Sequence, residues 1–82
     1  MTSELQSVFL KVFEIDQTKV DWDKIAYREF EKWDSVAHMR LINELEDHFQ
    51  IMIDTDDVIG MSSYKIAVVI LKRLGIDETR LS

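Results

Sequence analysis

The chain has 82 residues, 46% of them hydrophobic and 32% charged, with no cysteine, which suits one small domain and excludes a thiol nucleophile, a CxxC redox pair and a cysteine zinc site. Its net charge of −6 argues against a nucleic-acid partner, because phosphate-backbone binding needs clustered Lys and Arg. No apolar run approaches the roughly 20 residues of a membrane span, and Met1-Thr2-Ser3-Glu4 lacks the basic start and apolar stretch of a secretory signal, so a single domain over 1–82, cytoplasmic and monomeric, is expected.

The first segment places Leu5, Val8, Phe9 and Val12 at i, i+3, i+4, i+7, and Ser3-Glu4-Leu5-Gln6 has the spacing of a capping box. This predicts a helix over about 3–15. Residues 16–33 are undecided by periodicity: Trp22, Ile25, Phe30 and Trp33 have spacings a helix allows, yet Asp16, Asp21 and Asp23 crowd the start. A second helix begins at Asp34-Ser35, either of which can cap it, and carries Leu41, Ile42, Leu45 and Phe49 on one face to about Gln50. Thr55 offers a cap for a short third helix, with Asp56 and Asp57 at its positive dipole end and Gly60 as a stop. Ser62 and Ser63 open a last helix with the stripe Ala67, Ile70, Leu71 and Leu74, the bases Lys72 and Arg73 near its end, and Gly75 closing it. The fold class is therefore all-α.

The charge is unevenly placed. Between Asp34 and Asp57 stand seven acids (Asp34, Glu44, Glu46, Asp47, Asp54, Asp56, Asp57) against the single base Arg40, while the remaining acids and bases cancel. Such a segment is either a solvated helix face or a surface that steers a basic partner.

One constellation reaches beyond packing: Trp33-Asp34-Ser35-Val36 at a loop-to-helix junction. A serine there ordinarily caps the helix. However, Asp34-Ser35-Val36 followed by Leu41-Ile42-x-x-Leu45-Glu46-x-x-Phe49-x-Ile51-x-Ile53 resembles the acyl carrier protein family around its Asp-Ser-Leu motif. Met61-Ser62-Ser63 also stands where carriers show an apolar residue and two hydroxyls, so the resemblance covers nearly the whole chain. It implies a four-helix bundle with a long first loop over 16–33, pinned by Trp22, Ile25 and Phe30, and a short third helix. It also implies that Ser35, flanked by Asp34 and Val36, receives 4'-phosphopantetheine from coenzyme A through a phosphopantetheinyl transferase. The arm's thiol then holds acyl or aminoacyl cargo for loading and processing enzymes, and the chain itself is not an enzyme. Val36 replaces the usual Leu, Lys32-Trp33 replaces Gly plus a small residue, Arg40 takes a position usually acidic, and Asp54 replaces a common Pro. The run from Phe30 to Ser35 is closer to D-alanyl and specialised free-standing carriers than to fatty-acid carriers. The alternative is a helical adaptor with an unmodified Ser35.

Other chemistries fit less well. Ser35 and His38 lack an orienting acid, an oxyanion hole and a Gly-x-Ser-x-Gly turn, so a serine hydrolase is not supported. His38 and His48, ten apart, do not have the spacing of a helical metal pair and read as partly exposed surface residues. Asp54-x-Asp56 begins like a calcium loop, but Val58, Ile59 and Lys65 occupy positions that need Asp or Asn, Gly and Glu. Met39 and Met61 either fill core gaps or line an acyl pocket between helices. Trp33 is expected to anchor the loop, its indole N–H needing a partner if buried. On the second helix Val36, Met39, Arg40, Asn43 and Asp47 share the side away from the apolar stripe. With Glu44, Glu46, Asp56 and Asp57 they form the expected partner surface.

Overall fold

The computed structural model describes residues 3–27 and 30–81. Four helices follow the predicted order: α1 (Glu4–Phe13), α2 (Ser35–Phe49), α3 (Thr55–Gly60) and α4 (Tyr64–Arg73), with 3-10 turns at Trp22–Lys24 and Glu78–Arg80. The architecture is a small all-α bundle with a long first loop and a short third helix. Among the described residues there is no strand, only an isolated antiparallel bridge between Ala26 and Ser63. Residues 1, 2 and 82 of the expected domain, and 28 and 29 of its first loop, lie outside the described residues.

Each helix start has a side-chain cap for an otherwise unpaired N–H. In α1 the capping box is complete, Gln6 N donating to Ser3 Oγ at 3.1 Å and Ser3 N to Gln6 Oε1 at 3.2 Å. The α3 cap is Asp54, accepting from Asp57 N, and not Thr55 as the sequence suggested; the carboxylate one residue earlier reaches that N–H and leaves Thr55 inside the helix. Ser63 caps α4, accepting from Ile66 N at 3.1 Å. Beyond α4, Gly75 at φ +99° lets Gly75 N and Ile76 N turn back to the carbonyls of Lys72 and Leu71, closing the helix as the glycine predicted. The other two long helices end without glycine: Glu14 and Gln50 take left-handed conformations at φ 53° and 55°.

The α1 stripe Leu5, Val8, Phe9, Val12 and Phe13 packs with Leu41, Ile42, Leu45 and Phe49 of α2 and with Ala67, Ile70 and Leu71 of α4 in one continuous core. Aromatic rings decide the first loop, which carries the 3-10 turn at Trp22–Lys24 but no α-helix among the described residues. Phe9 meets Trp22, Trp33 and Tyr64 edge-on, with centroids 6.1, 5.6 and 5.3 Å away, and Phe13 meets Phe30 at 5.9 Å. Such pairs are worth roughly 0.5–1.5 kcal/mol each beyond the area they bury. The backbone adds two cross-links to the start of α4, Tyr27 N to Ser62 O at 2.8 Å and Tyr64 N to Ile25 O at 2.9 Å. The chain after α4 is tied down too: Leu81 is fully buried, and Tyr64 Oη donates to its carbonyl at 3.1 Å.

Candidate functional site

Asp34 has extended backbone angles and is the cap of α2, its carboxylate accepting from Ala37 N at 2.9 Å. Ser35 is therefore the first helical residue and is released from capping. Its side chain is exposed and makes no hydrogen bond among the described residues. A hydroxyl in this position stands at the positive end of a 15-residue helix, beside backbone N–H groups that have no intrahelical acceptor.

The junction is held from below by Trp33. The residue is fully buried, and its Nε1–H donates to Nδ1 of His38 at 2.9 Å, with the two rings stacked at 5.9 Å and 23°. An indole nitrogen can only donate, so Nδ1 must carry the lone pair and the ring proton sits on Nε2. That proton points to the carbonyl of Val58 in α3, 2.7 Å away. His38 is thus partly exposed, as its sequence reading had it, and in addition bonded on both nitrogens; His48 is exposed and pairs with Glu4 at 2.9 Å. A sequence signal for the first pair exists. Trp33 precedes the cap and His38 is the fourth helical residue, the two positions that a hydrophobic staple brings together.

Two depressions flank this helix start. On the α3 side a cleft of about 250 Å³ is lined by Tyr27, His38, Val58, Ile59, Met61 and Ser62. Met61 is fully buried there, whereas Met39 is half-exposed and does not line it. On the α1 side a groove of about 330 Å³ runs past Lys32, Asp34, Val36 and Arg40.

The expected partner residues separate into groups. Val36 (69% exposed) and Met39 (52%) form an apolar patch beside Ser35, with Ile59 of α3 also exposed. Arg40 and Asn43 are exposed on the same helix, and Arg40 forms no ion pair among the described residues. Three of the acids are already engaged: Glu44 with Lys11 at 3.1 Å, Glu46 accepting from Ile53 N at 2.9 Å, and Asp57 with Arg73. Asp47 and Asp56 have no such partner among the described residues. The outward field of this face is consequently weaker than the raw count of acids suggests.

Among the described residues, no three His, Asp or Glu side chains converge as a metal site, and no helix is long and apolar enough to cross a membrane. Comparison of the chain with protein-family models, with curated proteins and with solved structures finds no match. The geometry by itself defines a small helical bundle that presents a free hydroxyl at the start of its longest helix.

Proposed function

We propose that this protein is a carrier of acyl or aminoacyl groups, held as thioesters on a 4'-phosphopantetheine arm attached to Ser35. The observation that supports the reading is the division of labour at the start of α2: Asp34 takes the cap and leaves the Ser35 hydroxyl exposed. In the reaction, the Ser35 oxygen attacks the phosphorus of coenzyme A next to the pantetheine. A new P–O bond forms, the pyrophosphate P–O bond breaks, the nucleotide half departs, and the serine proton passes to a base of the phosphopantetheinyl transferase. The resulting phosphodiester lies where helix N–H groups and the dipole favour an anion. The arm contributes the thiol that this cysteine-free chain lacks. Loading and processing enzymes would then dock over Val36 and Met39, the apolar residues nearest the attachment point.

The test is incubation of the full chain with coenzyme A and a broad-specificity phosphopantetheinyl transferase, read by intact mass. The expected result is the mass of one phosphopantetheine on the wild type and none on Ser35→Ala. No added mass, or addition that persists in Ser35→Ala, would overturn the carrier reading and leave a helical adaptor.

A further inference from the structure

The groove between α1 and α2 begins beside Ser35 and continues away from it. Its first part, of about 330 Å³, runs past Asp34, Val36 and Arg40. A second depression of about 230 Å³, bordered by Lys11, Asn43 and Glu44, shares Val12 and Arg40 with the first. Positions 36, 40, 43 and 44 follow one another at helical spacing along one side of α2, so the two depressions form a single channel. The floor is apolar, Val12 and Ala37 both being buried. Most charges along it are already engaged: Lys11 pairs with Glu44 at 3.1 Å, the Asp34 carboxylate accepts from Ala37 N at 2.9 Å, and Lys32 Nζ donates to the Glu14 carbonyl at 3.3 Å. Arg40 and Asn43 differ. Both are exposed, and neither side chain has a hydrogen bond or ion pair among the described residues. The channel thus offers free guanidinium donors and a free amide above an apolar floor, which suits an extended chain carrying amide carbonyls better than a compact anion.

We propose that this α1–α2 channel is the resting site of the pantetheine arm, with Arg40 and Asn43 as the residues that hold its amide carbonyls. The inference rests on the carrier reading and adds to it where the arm lies between transfers. Length and chemistry both fit. The arm's two carbonyls stand about five and nine bonds from its phosphorus, roughly 6 and 11 Å along the extended chain at about 1.2 Å per bond. At about 1.5 Å per residue, Arg40 and Asn43 lie roughly 8 and 12 Å along the α2 axis from Ser35. Each carbonyl therefore has a donor at its own level, since both the guanidinium and the side-chain amide donate N–H bonds. Val36 and Val12 offer apolar surface to the dimethyl group between the phosphate and the first amide. The thiol end reaches the level of the Lys11–Glu44 pair, where the channel stops.

The experiment loads the isotope-labelled full chain from unlabelled coenzyme A with a phosphopantetheinyl transferase, confirms complete loading by intact mass, and records isotope-filtered NOEs from the arm to the protein. Contacts are expected to the Val12 methyl groups and the Asn43 side-chain amide, with backbone amide shifts on loading at Lys11 and Val12, which are distant from Ser35 in sequence. The second readout is the rate at which the arm's thiol exchanges with 2-hydroxyethyl disulfide, a neutral probe. Asn43→Ala alters no charge and breaks no bond within the chain, so it leaves the thiol's electrostatic surroundings and the fold in place. Exchange about two- to tenfold faster than wild type is expected in this variant, the range that loss of one hydrogen bond allows, with weaker NOEs to Val12. No added mass would remove the carrier reading and this site with it. Full loading with NOEs confined to Ser35 and Val36, NOEs directed to Ile59 of α3, or equal exchange rates in wild type and Asn43→Ala would each overturn the resting site alone and leave the carrier reading standing.

Discussion

Residues that are adjacent in sequence divide tasks at the start of α2. Asp34 satisfies an amide, Ser35 stays free, Val36 is exposed to solvent, and Trp33 turns inward to meet His38. Arg40, about a turn and a half along, is the exposed cation of this surface, and Glu44 and Glu46, which follow it, are engaged elsewhere. An enzyme whose docking face is basic should meet repulsion at Arg40, while one offering an acid there should be attracted. Arg40→Glu is therefore expected to strengthen association with basic-faced fatty-acid enzymes by up to about fivefold, in proportion to the roughly 1 kcal/mol of an exposed ion pair. It should weaken association with a partner that offers an acid. Binding titrations against both enzyme types at two salt concentrations check this; affinities that change with neither charge nor salt exclude the surface from recognition.

The helix ends show how local rules were obeyed and where they were overridden. Caps at Ser3, Asp34 and Ser63 lie where hydroxyl or carboxylate side chains precede an apolar stripe, and these starts were legible because a cap acts over only three residues. The end of α2 falls at Gln50, where the apolar stripe stops, as the sequence suggested, but the stop of α1 was less legible, and neither end uses the residue type that favours a left-handed conformation. α1 ends at Phe13, short of the expected 15, because Phe13 has to face Phe30 and Trp33 and the chain reverses at Glu14 to bring the loop over it. At Gln50 the left-handed backbone leaves a measurable reserve. Gln50→Gly removes about 1–2 kcal/mol of steric cost and adds about 0.5–1 kcal/mol of chain entropy. A net stabilisation of about 0.5–1 kcal/mol is expected, read as a higher urea midpoint at unchanged slope.

Across the whole molecule, the Cα radius of gyration of 11.6 Å equals the value of about 11.7 Å expected for a compact chain of this length, so the long loop adds no loose volume. The two ends of the chain are joined by charge. Glu4 accepts from Arg80 Nε and Nη2 at 2.8 and 3.0 Å and from His48 at 2.9 Å, while the Arg80 guanidinium lies 4.9 Å above the Phe49 ring. The hydrogen bond from Arg80, then that from His48, holds the Glu4 carboxyl at about 2, below its ordinary 4.5. A carboxyl lowered in the folded state contributes stability that is fully present above its unfolded value and lost as the pH falls through its folded one. Hydrogen bonds from Thr18 and Thr79 lower Asp16 and Asp77 in the same sense. Unfolding midpoints in urea should therefore decline from about pH 4.5 toward pH 2, and Glu4→Gln should flatten that decline; an unchanged slope in the variant would show that the cluster does not couple the chain ends.

The all-helical class, the order of the four helices and the cap of α1 were legible in the sequence alone, because periodicity, capping and dipole preferences act within one or two turns, whereas the candidate status of Ser35 rested on the resemblance of its surrounding motif to the carrier family. The course of residues 16–33, the engagement of Glu44, Glu46 and Asp57, and the bonding of His38 were decided only in three dimensions. Each depends on a partner outside its own element: Phe9 and Phe13 of α1 for the loop aromatics, Lys11, the Ile53 amide and Arg73 for Glu44, Glu46 and Asp57, and the Val58 carbonyl of α3 for the histidine. A charge or ring in sequence has no preferred partner until packing brings two elements within hydrogen-bonding range. For that reason a candidate site could be named from one stretch of chain, while its supporting contacts required the assembled bundle.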